Sequence, residues 1–109
     1  MRKDQFLKGT AELVILELLG RREMYGYQIS KKLIEIAPDV LSLGDGTLYP
    51  ILHRMEDHGL VRGKWVESAG GRRQRRYSIT RKGQKELAGR RAFWRALTIA
   101  VRRVAMSAA

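Results

Sequence analysis

A chain of 109 residues is enough for one domain and leaves no room for a second core, and its 44% hydrophobic content is that of a folded protein rather than a disordered one. It contains no cysteine, which removes disulfides, thiolate metal sites and a cysteine nucleophile. A net charge of +11 directs attention to polyanions.

The first strong element is Ala11-Glu12-Leu13-Val14-Ile15-Leu16-Glu17-Leu18-Leu19, read as a helix with Thr10 as N-cap and Gly20 as its stop. Apolar residues on nearly every side of so short a helix place it at the centre of the core. A second helix is expected from about Tyr25 to Ala37, ended by Pro38, with Ile29, Leu33 and Ile36 forming one buried stripe. A third is expected from Asp45 to His58, closed by Gly59. At 100° per residue its Leu48, Ile51, Leu52 and Met55 share one arc, while Tyr49, Pro50, His53 and Arg54 point away from it and Thr47 lies at the edge.

Two short strands follow, around Leu60–Glu67 and Arg75–Ile79, joined near Gly70-Gly71 as a β-hairpin whose turn uses either two residues or four. Its arginines Arg72, Arg73, Arg75 and Arg76 lie at or beside the tip. Thr80 then caps a long helix from about Arg81 to Met106. Leu87, Trp94 and Val101 recur every seventh residue and interleave with Arg90, Leu97 and Val104, a heptad-like seam with one polar interruption. Phe93, next to Trp94, is assigned to the inside of the domain, and Trp94 to a partner.

The order is helix, helix, helix, hairpin, long helix. The expected fold is therefore mainly α with a small β-hairpin: a winged helix-turn-helix over residues 1–80, with a C-terminal dimerisation helix over 81–109 in the same structural unit. Charge follows this division. Residues 1–60 carry 8 Lys/Arg against 9 Asp/Glu, residues 61–80 carry 6 against 1, and residues 81–109 carry 8 against 1. Clustered positive charge of this kind gains free energy by releasing counterions from phosphates. It is equally compatible with a solubilising excess or a membrane-surface patch, so charge alone does not decide the partner. The longest run without a charged residue, Gly46 to His53, is eight residues, against roughly 18 for a membrane span. No membrane segment and no leader peptide are expected, and the expected location is the cytoplasm.

No catalytic set stands out. His53 and His58 have no cysteine partners and stand about 140° apart on a helix, which argues against a metal site. No Ser/His/Asp arrangement, phosphate-cradling Gly-rich loop or paired carboxylates are apparent, so neither an enzyme nor a cofactor is expected.

Several stretches resemble the PadR-like transcriptional regulators. They include Leu7-Lys8-Gly9-Thr10, Glu12-Leu13-Val14-Ile15-Leu16, Tyr25-Gly26-Tyr27-Gln28-Ile29 and Gly59-Leu60-Val61. The most specific is Gly46-Thr47-Leu48-Tyr49-Pro50, continued by Ile51-Leu52-His53-Arg54-Met55-Glu56; Trp65, Gly71-Arg72-Arg73, Arg76-Tyr77-Ser78-Ile79-Thr80, Gly83 and Trp94 also match. Met24-Tyr25 and Gly44 depart from the usual pattern, the latter where a serine or asparagine cap is common. The resemblance implies a dimeric repressor of the short form with a single C-terminal helix, often answering to a small aromatic compound or a stress signal.

In this reading the helix over 45–58 enters the major groove, where base pairs display distinct donor and acceptor patterns, and Thr47, Tyr49, Pro50, His53 and Arg54 face DNA. The wing over 68–76 brings Arg72, Arg73, Arg75 and Arg76 to flanking phosphates or a narrow minor groove. Leu87, Trp94, Leu97, Val101 and Val104 form the homodimer interface. At about 1.5–3 kcal/mol each, ten such side chains in a pair outweigh an association cost of about 4–15 kcal/mol. By the resemblance, Trp94 is also a candidate to stack against a flat aromatic effector, the alternative and preferred reading being an ordinary core residue of the interface. The partner is then double-stranded DNA carrying an inverted repeat. The other classes to weigh are an RNA- or ribosome-associated basic winged helix and a winged helix that binds an acidic protein.

Overall fold

The computed structural model of the chain describes residues 3–107, with side chains from residue 9 onward. Its elements are α1 (Lys3–Leu19), β1 (Met24–Tyr25), α2 (Gly26–Ile36), α3 (Asp45–Asp57), β2 (Val61–Glu67), β3 (Arg73–Ile79) and α4 (Arg81–Ala105). The fold is mainly α with a small antiparallel sheet, as expected, but the sheet has three strands in the order β1-β3-β2.

Helix α1 is central because it is apolar on most sides: Ala11, Leu13, Ile15, Leu16, Leu18 and Leu19 are all buried. It begins well before Thr10, which lies inside the helix rather than capping it. The reason is propensity. Residues 3–8 are mostly helix-compatible, and one interior glycine, Gly9, costs only about 1 kcal/mol, too little to start the helix afresh. The stop is at Gly20, whose N–H donates to Leu16 O at 2.8 Å.

Helix α2 starts one residue later than expected because Met24 and Tyr25 are spent on β1, pairing with Tyr77 and Arg76 of β3. The side chain of Gln28 turns back to accept from the Tyr25 N–H at 2.9 Å. Ile29 and Leu33 are fully buried, whereas Ile36, expected on the same stripe, is 57% exposed. The last turn of α2 overhangs the core. The returning loop fills that end instead, burying Leu43, whose carbonyl accepts from Ser30 Oγ at 3.2 Å.

Helix α3 buries the four residues its periodicity selects, Leu48, Ile51, Leu52 and Met55. It has no side-chain cap at Gly44, whose carbonyl nevertheless accepts from the Thr47 and Leu48 N–H groups at 3.0 and 2.9 Å. It ends in a Schellman arrangement: Gly59 N–H donates to Glu56 O at 3.0 Å and Leu60 N–H to Met55 O at 2.9 Å.

The hairpin register runs from Val61↔Ile79 to Glu67↔Arg73. Its loop is neither of the two lengths expected but three residues, Ala69-Gly70-Gly71. Ser68 N–H donates to Arg72 O at 2.7 Å, Gly71 N–H donates to Ser68 O at 2.9 Å, and Gly71 has φ +78°. That is a type I turn followed by a left-handed glycine, a geometry that matches the twist of the strands.

Helix α4 begins where the wing ends. Thr80 Oγ1 accepts from Gly83 N–H at 3.0 Å, and a Cβ on Gly83 would stand 2.0 Å from Leu60 O, so only glycine lets α4 seat on that backbone. Leu87 joins the core. From Arg91 onward every described residue of α4 is exposed, and the helix extends the molecule to 62 Å along its longest axis.

Candidate nucleic-acid interface

The outward side of α3 presents Thr47, Pro50 and His53, all exposed. Tyr49 is half-buried, packed against the core. Its ring lies across the start of α2 so closely that a Cβ on Gly26 would stand 2.6 Å from its hydroxyl. Burial, helped by the negative charge of Asp45, holds the Tyr49 hydroxyl above its ordinary pKa of 10.0, so it stays protonated and able to donate.

Arg54 does not take the outward place expected of it. On α3 it lies about 140° from Tyr49, on the flank turned to α1. There its Nε sits 3.1 Å from Oε2 of Glu12. Oε1 of the same carboxylate receives Nη1 of Arg90, from α4, at 2.6 Å. Burial alone pushes the Glu12 carboxyl up, but hydrogen bonds from Arg90 and Arg54 and their charges outweigh it and hold it below the ordinary 4.5. A mostly buried carboxylate thus holds the guanidinium of Arg54 on the side of α3 toward α1, while its side chain stays 38% exposed.

The four wing arginines also divide. Arg75 reaches back to Glu56 of α3 and lies over Gly63, where a Cβ would meet its Nε at 2.6 Å. Arg76 points to the opposite face of β3, 3.2 Å from Glu23 and 5.7 Å from the Tyr25 ring centroid. Arg72 and Arg73 are exposed and have no carboxylate partner among the described residues. Arg73 is nevertheless not loose, since its guanidinium lies 5.1 Å from the Trp65 ring centroid and that of Arg75 lies 5.2 Å away. A chain of contacts from Glu56 through Arg75 and Trp65 therefore orients Arg73.

Between the start of α2, α3 and the wing runs an open groove of about 880 Å³, lined by Tyr25, Tyr27, Tyr49, His53, Trp65 and Arg73 among others. Tyr25, Tyr27 and Trp65 were not among the expected contacts. Tyr25 and Tyr27 stack with ring centroids 5.9 Å apart, and Trp65 is 54% exposed. The signal for Trp65 was its place in the strand alternation, directly across from Arg75, but the groove that it lines needed the register. The groove combines hydroxyl donors, two unpaired guanidinium groups and aromatic walls, a composition suited to phosphate and base edges.

On α4 the expected seam is altered at its start. Leu87 is 7% exposed and belongs to this chain's own core, packed beside Gly20, because the first turns of the helix lie against α1. Phe93, expected inside, is 68% exposed, whereas Trp94 and Leu97 are 40% and 41% exposed. The core has ended by that height, so nothing is left for Phe93 to pack on. Val101 and Val104 stand open beyond them. An open cleft of about 1020 Å³ lies between α1 and α4, with Phe93, Trp94 and Leu97 on one wall and Glu12, Arg54 and Arg90 on its polar side. Among the described residues no helix is long and apolar enough to cross a membrane, and no group of three or more His, Asp or Glu is placed to hold a metal ion.

Three helices, a small sheet with a basic hairpin and a projecting terminal helix define a winged helix-turn-helix protein. The family model described as transcriptional regulator PadR-like family matches residues 15–89. A PadR-like transcription factor of Bacteroides fragilis superposes with a TM-score of 0.80 at 35% identity, over 94% of this chain and 96% of that one. A PadR-like transcriptional regulator of Bacillus cereus gives 0.82 at 31% identity, over 94% and 98%. An uncharacterised protein of Lysinibacillus sphaericus is 24% identical over 80% of both chains. The chain belongs to the PadR-like family, a family of transcriptional regulators and not of enzymes.

Proposed function

We propose that this chain is a homodimeric, sequence-specific double-stranded DNA-binding repressor. Helix α3 enters the major groove with Thr47, Pro50 and His53 toward the bases, and Tyr49 donates its hydroxyl to a phosphate. Arg72 and Arg73 reach flanking DNA from the wing, while Arg54, Arg75 and Arg76 hold the reading surface in place without touching it. The observation that carries this reading is the sorting of charge. Arg54, Arg75 and Arg76 each lie within ion-pair distance of a carboxylate, whereas Arg72 and Arg73, which line the groove, have no carboxylate partner among the described residues.

Residues 1–80 form the DNA-binding part and residues 81–109 the dimerisation part of one unit. Supporting the dimer, Trp94, Leu97, Val101 and Val104 form an apolar stripe open to water, now joined by Phe93. At about 1.5–3 kcal/mol per fully buried side chain, such a stripe from two chains covers the cost of association. A two-fold dimer reads an inverted repeat whose half-sites lie about 10–10.5 bp, or a multiple, apart. In this proposal a small aromatic effector stacks on Trp94 in the cleft and relieves repression, and the site of action is the cytoplasm.

Fluorescence anisotropy with duplexes enriched from a random pool tests the reading. Binding to an inverted repeat, with a log–log salt slope near −5 for roughly six phosphate contacts per half-site, is the expected result. Tighter binding to structured RNA than to any duplex overturns it.

A further inference from the structure

The segment that leaves α3 is joined directly to the start of α4. There the Thr80 N–H donates to Leu60 O at 3.1 Å, Lys82 Nζ donates to His58 O at 2.8 Å, and Gly83 lies against the Leu60 backbone. A joint at one end leaves the angle between two rods open unless a second tie sets it. The structure supplies that tie about 10 Å further along α4, seven residues at 1.5 Å each, where Arg90 meets Glu12. Glu12 divides its two oxygens, one to Arg90 of α4 and one to Arg54 of α3, and its side chain is only 13% exposed.

Apolar packing seats α4 on α1 as far as Leu87, beside Gly20, and thins out one turn further on. The cleft of about 1020 Å³ opens at this level, so the ionic node stands at its edge rather than within a filled core. Another acid does not substitute. Glu86, 3.6 Å from Arg90, lies on α4 itself and ties it to nothing else. Without Glu12, two guanidinium groups would face each other across the cleft. The neighbouring pair of Arg91 with Glu17, at 2.7 Å, joins α4 to α1 but does not reach α3.

We propose that Glu12 is a positioning residue for DNA recognition: through Arg54 and Arg90 it sets the angle between the recognition helix and the dimerisation helix, and so the spacing of the two recognition helices. The inference rests on the dimer reading above and extends it to Glu12, a residue outside both the reading surface and the apolar stripe. The effect is amplified by leverage. With each recognition helix about 17 Å from the two-fold axis, half of a 34–36 Å half-site spacing, a tilt of roughly 5° moves it about 1.5 Å. Hydrogen bonds to base edges do not survive such a displacement. One half-site binds alone without needing the angle, whereas two on one duplex require it.

The test compares Arg90→Met and Glu12→Gln with Arg91→Met, which removes the same charge from α4 without touching the node. Each is titrated against an enriched inverted repeat, the same repeat with one base pair added to the spacer, and a single half-site; sedimentation and thermal melting report assembly and folding. Loss of a charged hydrogen bond at the node should weaken repeat binding by about tenfold and half-site binding by less than about threefold, with the salt slope unchanged. The penalty for the added base pair should shrink, Arg90→Lys should recover most of the loss, and Arg91→Met should stay within about threefold of the wild type on every duplex. A merely destabilising change would lower all three affinities together.

Equal loss on repeat and half-site, or no loss at all, overturns the proposal. So does a fall of about 0.9 in salt slope for Arg54→Met, because it would make Arg54 a phosphate contact. A wild type that is monomeric, or that prefers the repeat no more than one half-site, overturns the dimer reading and this inference with it. A wild type that prefers the repeat while Arg90→Met matches Arg91→Met overturns the inference alone.

Discussion

Two parts of the molecule project from the same core and are held in opposite ways. The wing is self-sufficient: a seven-pair ladder fixes its strands, a left-handed glycine closes its loop, and Arg75 anchors it to Glu56. Beyond the pair of Arg91 with Glu17, the outer turns of α4 are held by hydrogen bonds local to the helix, since from Arg91 onward no described side chain is buried. A hairpin that needs no partner can offer charge to a ligand. A helix that leaves tryptophan, leucine and valine in water is waiting for apolar surface. In the proposed function, the contrast separates a reading device from an assembly device.

The sharpest way to break that contrast is Leu97→Asp. A carboxylate in the apolar stripe of both protomers should lower dimer affinity at least about a hundredfold, turning the dimer to monomer in sedimentation, while the wing stays folded. If the substituted chain remains a dimer, the stripe is not the interface. Next comes Gly83→Ala at the root of α4. The new methyl meets Leu60 O and should cost about 3 kcal/mol of stability in denaturant unfolding, by overpacking against backbone that cannot yield.

Arg73→Ala acts on the other projection. It should weaken duplex binding about tenfold and reduce the salt slope by about 0.9, with no change in sedimentation, since it removes one proposed phosphate contact and, besides that, only an exposed contact with Trp65. Trp65→Ala should reproduce part of the affinity loss without the change in slope, because it frees Arg73 rather than removing it.

The smallest effect is a pH dependence at the root of α4, through Glu12. Its carboxyl is held below 4.5 in the folded chain, so the node stabilises the fold above that value and the contribution is lost as the pH falls through and below it. Glu17, held low first by its hydrogen bond from Arg91, adds in the same direction. Thermal melts between pH 6 and pH 3 should fall less steeply for Arg90→Met than for the wild type. Parallel curves would mean that Arg90 does not support the charged form.

Much of the architecture was legible in advance. Four helices, a basic hairpin and the buried arc of α3 follow from periodicity, because side chains spaced 3.6 or 2 residues apart must share a face whatever else the chain does. The strand β1 was not legible: two residues carry no period, and only β3 makes them a strand. The three-residue wing loop was hidden for a related reason, since adjacent glycines permit several turns and the ladder selects one.

The fate of individual arginines marks the boundary most plainly. Sequence by itself determined that Arg54 lies off the core arc of α3 and that four arginines crowd the wing. Whether each stays free depended on acids far away in the chain: Glu12 is 42 residues from Arg54, and Glu56 is 19 from Arg75. Leu87 and Phe93 exchanged roles likewise, because the height at which the core ends is set by how α1 and α4 pack. Periodicity is a property of one helix; pairing and burial belong to two elements at once, and only their assembly in space decides them.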